Sequence, residues 1–309
     1  MVKLSSARFA FAIGWALIAV SVARPSAAAD PWVSAGFLEF PSSVRLAAVS
    51  AVAIDAADRV YVLQRGEPPV VAFSSEGVYE RGWGQELFKV PHGLRIDPQG
   101  HLWTTDNGNH VLRKFDRQGN LLATLGVVGK PAGGADGFRA PDDLVFDSTG
   151  AMYVADSGNS RIAKFDPEAR FVKQWGAKGK EPGQFATAHG LAIDQRDHLY
   201  VADRGNKRIQ VFDRDGRHLA DWTGFGNPFG LLVVGGELLA SEGDAKKIFQ
   251  FAIPTSGADE SAFASPGAIV ASWGDPQQLL LPHFMAVNSK GVLFVAEVDG
   301  KRVQMFKRP

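Results

Sequence analysis

From about residue 48 onward, apolar residues either alternate with polar ones or run for four to six positions between short breaks rich in Asp and Gly. That pattern predicts short antiparallel strands rather than helices. Three stretches repeat in register. They are His92-Gly93-Leu94-Arg95-Ile96-Asp97, Asp142-Asp143-Leu144-Val145-Phe146-Asp147 and His189-Gly190-Leu191-Ala192-Ile193-Asp194. Each leads to a second apolar run ending in Asp106, Asp156 or Asp203, then to a Gly-Asn, a further strand and a Phe-Asp. Segments such as Asp97-Pro98-Gln99-Gly100 and Asp147-Ser148-Thr149-Gly150 supply the turn between the first two strands. Weaker copies begin near Ser50, Phe229 and His283. Six units of roughly forty to fifty residues, each holding four strands, predict an all-β fold, a six-bladed β-propeller.

The last copy stops at Phe306, one strand short, while residues 31–46 precede the first copy and have no place in it. The two remainders complement each other. Trp32 to Leu46 is therefore expected to supply the missing outer strand and close the ring. The segment Ile253–Pro266, rich in Ser, Ala and Gly, reads as a surface loop inserted in the fifth blade.

Residues 1–29 contain no acid, carry Lys3 and Arg8, run apolar from Phe9 to Val22 and end in Ala27-Ala28-Ala29. This is a signal-peptide pattern, since an apolar run of about 14 residues falls short of the roughly 20 a membrane-spanning helix needs. The expected mature protein is the propeller of residues 30–309, periplasmic or secreted, with no membrane span. Losing Lys3, Arg8 and Arg24 changes the formal balance from 33 basic and 33 acidic residues to 30 against 33. A slightly acidic chain without a basic run does not fit nucleic-acid binding. The absence of cysteine excludes a disulfide framework, thiolate metal sites and cysteine nucleophiles. No phosphate-binding Gly-x-x-x-x-Gly-Lys loop and no Gly-x-Ser-x-Gly elbow occurs.

The position that opens each unit is Ser50, His92, Asp142, His189, Phe229 and His283. Seven histidines scattered at random would place roughly 0.15 in these six slots, against three found. The three lie in alternate blades. First strands line a propeller's channel, so three imidazoles at one height converge on its axis. Three neutral imidazoles with an open fourth position form the catalytic zinc pattern, which makes His92, His189 and His283 the candidate zinc ligands. Just after the second strands come Arg65, Asn107, Ser157, Arg204, Gly243 and Val298, on the same face. Arg65 and Arg204 can therefore point at an anion near the metal. Asp106, Asp156 and Asp203 read as turn-capping residues.

Tyr-Val-Ala-Asp followed by Gly-Asn, at 153–159 and 200–206, resembles NHL repeats. More specifically, Leu87-Phe88-Lys89-Val90-Pro91-His92-Gly93-Leu94, Arg65-Gly66, Pro141-Asp142-Asp143-Leu144, Asn159-Ser160-Arg161-Ile162, Val201-Ala202-Asp203-Arg204 and Pro282-His283 resemble the peptidyl-α-hydroxyglycine α-amidating lyase (peptidylamidoglycolate lyase) family. Members are six-bladed zinc propellers that release glyoxylate from hydroxyglycine-extended peptides. The resemblance implies zinc on His92, His189 and His283 and functional roles for Arg65 and Arg204. Phe284 stands where the family has a calcium-binding aspartate, so calcium is not implied. The loop Asp156-Ser157-Gly158-Asn159 is one residue shorter than the family's and lacks its tyrosine base. A zinc-held water or Asp142 is then the candidate base, which also allows hydrolysis. The partner implied is a small-molecule or peptide ligand. The alternative is a non-catalytic propeller that binds a peptide, protein or small ligand on the same face. Export at Ala29 predicts an intact mass beginning at Asp30, and a mature form retaining Phe9 to Val22 refutes it.

Overall fold

Each of the first four innermost strands ends on a buried aspartate that builds the next turn: Asp55, Asp97, Asp147 and Asp194. In the second unit Asp97 Oδ1 accepts the amides of Gln99 at 3.0 Å and His101 at 2.8 Å, and Gly100 closes the turn at a φ of 84°. An aromatic side chain of the following strand donates to the same carboxylate. Tyr61, Trp103, Tyr153 and Tyr200 do so at 3.1, 3.1, 3.0 and 3.2 Å. The tyrosine of the repeat is thus both core and turn lock.

A computed structural model describes residues 32–254, 263, 268–275 and 277–309. The expected signal peptide of residues 1–29 lies outside the described residues, as does most of the expected insertion. Among the described residues there are 24 strands in six four-stranded antiparallel sheets, the six-bladed β-propeller expected. The innermost strands are β2 (Val49–Ile54), β6 (Pro91–Ile96), β10 (Pro141–Phe146), β14 (Ala188–Ile193), β18 (Pro228–Val234) and β22 (Pro282–Val287). No helix among the described residues is long and apolar enough to cross a membrane.

The ring closes as the two remainders required. Strand β1 (Val33–Phe37) pairs antiparallel with β24 (Arg302–Lys307), Val33 opposite Lys307 and Ser34 opposite Phe306, and so becomes the outer strand of the last blade. Trp32 is buried and stacks on Trp273 of the fifth blade, 5.8 Å between centroids. Leu38 and Val44 join a core in which Val52, Val62 and Phe73 of the first blade meet Phe294 and Val303 of the last. The closing seam is therefore as apolar as the others.

The expectation of a plain surface loop over Ile253–Pro266 is corrected at Phe263. That residue is buried, its ring centroid 4.6 Å from that of His198, and its carbonyl accepts the Trp222 indole N–H. An aromatic ring in a Ser- and Gly-rich segment has little apolar company of its own and docks onto the blade beneath it.

Deleting residues 31–46 removes three buried apolar side chains worth roughly 1.5–3 kcal/mol each. The truncated propeller is expected to melt at least about 10 °C lower than the full mature chain in a thermal unfolding scan.

Candidate metal centre

The second residue of each innermost strand sits at a local register shift, which turns its side chain into the channel. His92, His189 and His283 occupy three of these positions, and they are 6%, 1% and 3% exposed. Their ring centroids are 4.9, 4.9 and 5.0 Å apart, and one nitrogen from each lies within 4.8 Å of the others. The three residues selected by register therefore do converge.

Each imidazole is tied to the next blade. Nδ1 of His92 meets the carbonyl of Asp142 at 2.8 Å, that of His189 meets Phe229 at 3.0 Å, and that of His283 meets Ser50 at 2.6 Å. A carbonyl only accepts, so Nδ1 carries the proton and Nε2 keeps its lone pair. The close approach explains the glycines after two of the histidines. A Cβ on Gly93 would lie 2.7 Å from the Asp142 carbonyl oxygen, and one on Gly190 would lie 2.2 Å from that of Phe229.

Burial, and then repulsion from His92, hold the His189 and His283 imidazoles well below their ordinary pKa. Both are neutral at neutral pH. Nε2 of His189 is buried without a hydrogen-bond partner. A buried lone pair left unmet costs about 1–3 kcal/mol. Three nitrogen donors in a buried cage, each oriented by a carbonyl behind it, could hold a metal ion.

Asp142 stands beside this set, its Oδ1 3.7 Å from His92 Nε2. Burial raises its carboxyl, opposed by His92, the Ser157 hydroxyl, Arg204 and Asn107. Ser157 Oγ reaches Asp142 Oδ2 at 2.5 Å and also contacts the Ala188 carbonyl, while Asn107 Nδ2 donates to Oδ1. Asn107 and Ser157 were visible in the sequence as mouth positions, but their meeting on one carboxylate, Asn107 from the second blade and Ser157 from the third, was not.

The second strands deliver the arginines to the same end, where the Arg65 amide donates to Ala48 O and that of Arg204 to Thr187 O, both at 2.9 Å. Their charges reach the centre, Arg65 acting on Asp142 and His283, Arg204 on Asp142, His189 and His283. Of the expected turn caps, Asp106 accepts the Asn109 amide of its turn at 3.1 Å, whereas Asp156 and Asp203 make no capping bond to the turn they precede and tie its side chains to the neighbouring strands instead. Asp203 accepts the Ala186 amide at 3.0 Å, Asn206 at 2.7 Å and Arg208 at 2.9 Å, which fixes the turn that begins at Arg204. In the units where the repeat aspartate is missing, Gln64, Glu242 and Glu297 accept the corresponding amides of Ala47, Asn227 and Leu280.

Phe284 floors the site. Its ring lies 5.7, 5.8 and 4.5 Å from those of His92, His189 and His283. Beneath it the Arg95 guanidinium, 5.4 Å from the Phe284 centroid, donates to both oxygens of fully buried Asp143 at 3.0 and 2.6 Å and to Leu191 O at 3.0 Å. Below that a cavity of about 350 Å³, lined by Ile96, Phe146, Ile193 and Leu232, opens on the opposite face. Phe284 and Arg95 thus stand between the histidines and this cavity.

The NHL repeat pattern matches residues 88–115 and 185–212, the units that carry His92 and His189. The chain carries NHL repeats. This NHL-repeat propeller is 34% identical over 93 residues to NHL repeat-containing protein 3 of Mus musculus, covering 27% of the chain and 26% of that protein. It is 28% identical over 121 residues to peptidyl-alpha-hydroxyglycine alpha-amidating lyase 1 of Drosophila melanogaster, covering 30% and 22%. The similarity is one of distant homology, and the matched part spans about a quarter of these relatives' own length. Among solved structures, virginiamycin B lyase from Staphylococcus aureus superposes with a TM-score of 0.60 at 14% identity, over 84% of this chain and 80% of that one. That likeness shows the propeller fold.

With the folded-state pKa of His189 and His283 lowered, the unfolded chain binds more protons below about pH 6.5. The metal-free protein is therefore at full stability above that pH and loses stability as pH falls, with a slope approaching about 1.4 kcal/mol per pH unit for each histidine. Urea unfolding between pH 5 and 8 should show this decline, and a His189→Gln, His283→Gln double variant should flatten it.

Proposed function

We propose that the protein is an exported, periplasmic or secreted, metalloenzyme of the amidating-lyase type. Zinc is held by His92, His189 and His283, and the substrate is a small carboxylate-bearing or peptide molecule. The observation that carries this reading is the convergence of three imidazoles whose Nδ1 atoms are all committed to carbonyls. When bound, the metal supplies Lewis acidity toward a substrate oxygen. Arg65 and Arg204 hold the carboxylate, and Phe284 keeps water from entering from below.

Asp142 is the proton acceptor. Burial raises its carboxyl above its ordinary value, and Asn107 and Ser157 fix its position. In the lyase reaction it takes the hydroxyl proton of the substrate as the carbon–nitrogen bond breaks and a carbonyl forms, and it hands that proton to the leaving nitrogen. The same arrangement supports attack by water. One observation favours a second reading, in which the face binds a ligand without turnover. The third-blade loop offers Ser157, whose hydroxyl is engaged by Asp142 and Ala188, and no phenol.

The mature protein is expected to contain about one zinc per chain with a water-filled or open fourth position. Replacing any one of His92, His189 or His283 by alanine should remove most of the metal in elemental analysis. Replacing His101, His198 or His218, which bond Asp97, Asp194 and Asp221, should not. Negligible metal after reconstitution overturns the proposal.

Asp142→Asn is expected to lower kcat on an α-hydroxyglycine substrate by about 10²- to 10⁴-fold with metal content unchanged, measured as glyoxylate release. Activity that survives this change assigns the proton to another acceptor.

A further inference from the structure

The mouth of the site is divided into chemical sectors. Around the ring, the residues after the second strands are Arg65, Asn107, Ser157, Arg204, Gly243 and Val298 in blades one to six. Blades one and four face each other across the axis and carry the arginines. Blades two and three carry Asn107 and Ser157, both spent on Asp142. Blades five and six offer no polar side chain at this position.

What fills that last sector is Phe229. A Cβ on Gly243 would lie 2.5 Å from a Phe229 ring carbon and 2.8 Å from Leu281 Cδ1, so these two side chains occupy the volume an ordinary residue at 243 would take. The Phe229 ring lies 5.3 Å from His189 and 5.8 Å from His283, with the Arg204 guanidinium carbon 4.9 Å from its centroid. Leu281 is held at a φ of 58°, a conformation unfavourable for a side chain of this size, and its carbonyl is pinned by the Val298 amide at 3.1 Å. Phe229, Leu281 and Val298 are all half-buried, unlike the core beneath them. Backbone strain and a glycine thus maintain an apolar surface that stays open to solvent beside two candidate ligands and a cation.

We infer that Phe229, Leu281 and Val298 form an acyl subsite. A carboxylate gripped at Arg204 sets the reacting carbon beside the Phe229 ring and the acyl group on its nitrogen against the apolar sector, so the preferred substrates carry a bulky apolar acyl group on that nitrogen. Basic groups are disfavoured there by Arg204. This rests on the metal-centred reading above and adds the substrate's chemical class to it.

The test uses two ligands that do not turn over, N-benzoylglycine and N-acetylglycine, titrated into the zinc-loaded mature protein by calorimetry. Benzoylglycine is expected to bind at least about tenfold more tightly. Phe229→Ala should cut that preference to about twofold while leaving N-acetylglycine affinity unchanged. Should that variant fold poorly, Val298→Asn, on the half-buried rim, should lower the preference by about threefold. Equal affinity for the two ligands, with binding lost in Arg204→Ala, overturns the acyl subsite and leaves the metal-centred reading standing. Binding of neither ligand overturns both. A benzoyl preference unchanged in both variants places the apolar contact elsewhere and overturns the assignment.

Discussion

The hydrogen bond from an imidazole Nδ1–H to the carbonyl of the next blade is the contact on which the centre depends. It occurs at three alternate seams, one of them the seam where the sixth blade meets the first. The bond fixes the tautomer, aims Nε2 at the axis and joins neighbouring blades at the height of the site. Its cost is space, met by Gly93 and Gly190, where a side chain would collide with the accepting carbonyl. Blade packing and ligand orientation are therefore one interaction, and a shift in a seam would move a ligand nitrogen.

The layers below follow from it. Because the imidazoles lean against the next blade, the axis beneath them is open, and Phe284 fills it. A benzene ring cannot satisfy Asp143, which enters from the third blade at the equivalent strand position, so Arg95 reaches over from the second blade to hold it in a bidentate ion pair. The pair leaves no uncompensated charge in the core, and both carboxylate oxygens also accept backbone amides, of Leu144 and Leu191.

Much of this was legible because the repeat fixes where along a strand each residue lies. His92, His189, His283, Arg65 and Arg204 could be placed at one end of the channel by counting from the turn aspartates. The strand that closes the ring was legible for a different reason, a missing strand at one end and surplus residues at the other. Contacts between blades were not legible. Asn107 of the second blade comes to Asp142 of the third across 35 residues of chain, and Ser157 of the third contacts the Ala188 carbonyl of the fourth across 31. Glu242 and Glu297 escaped notice because their longer side chains reach the same amides from a sequence that no longer reads as the repeat. Phe263 was hidden by its polar neighbours, and only the shape of the blade beneath it shows where one aromatic ring is taken up.

Closure by β1 imposes an order of events on the chain. The strand that finishes the last blade is made first, and its partner β24 is made last. During synthesis β1 is an unpaired edge, and the ligand set remains incomplete until His283 emerges. No fragment short of the sixth blade can assemble all three histidines, so under the proposed metal-centred reading metal capture would report a finished ring. In a crowded population the waiting strand is equally complementary to the β24 of another copy, and an exchange of first strands would tie two rings together without altering a single hydrogen bond within either blade.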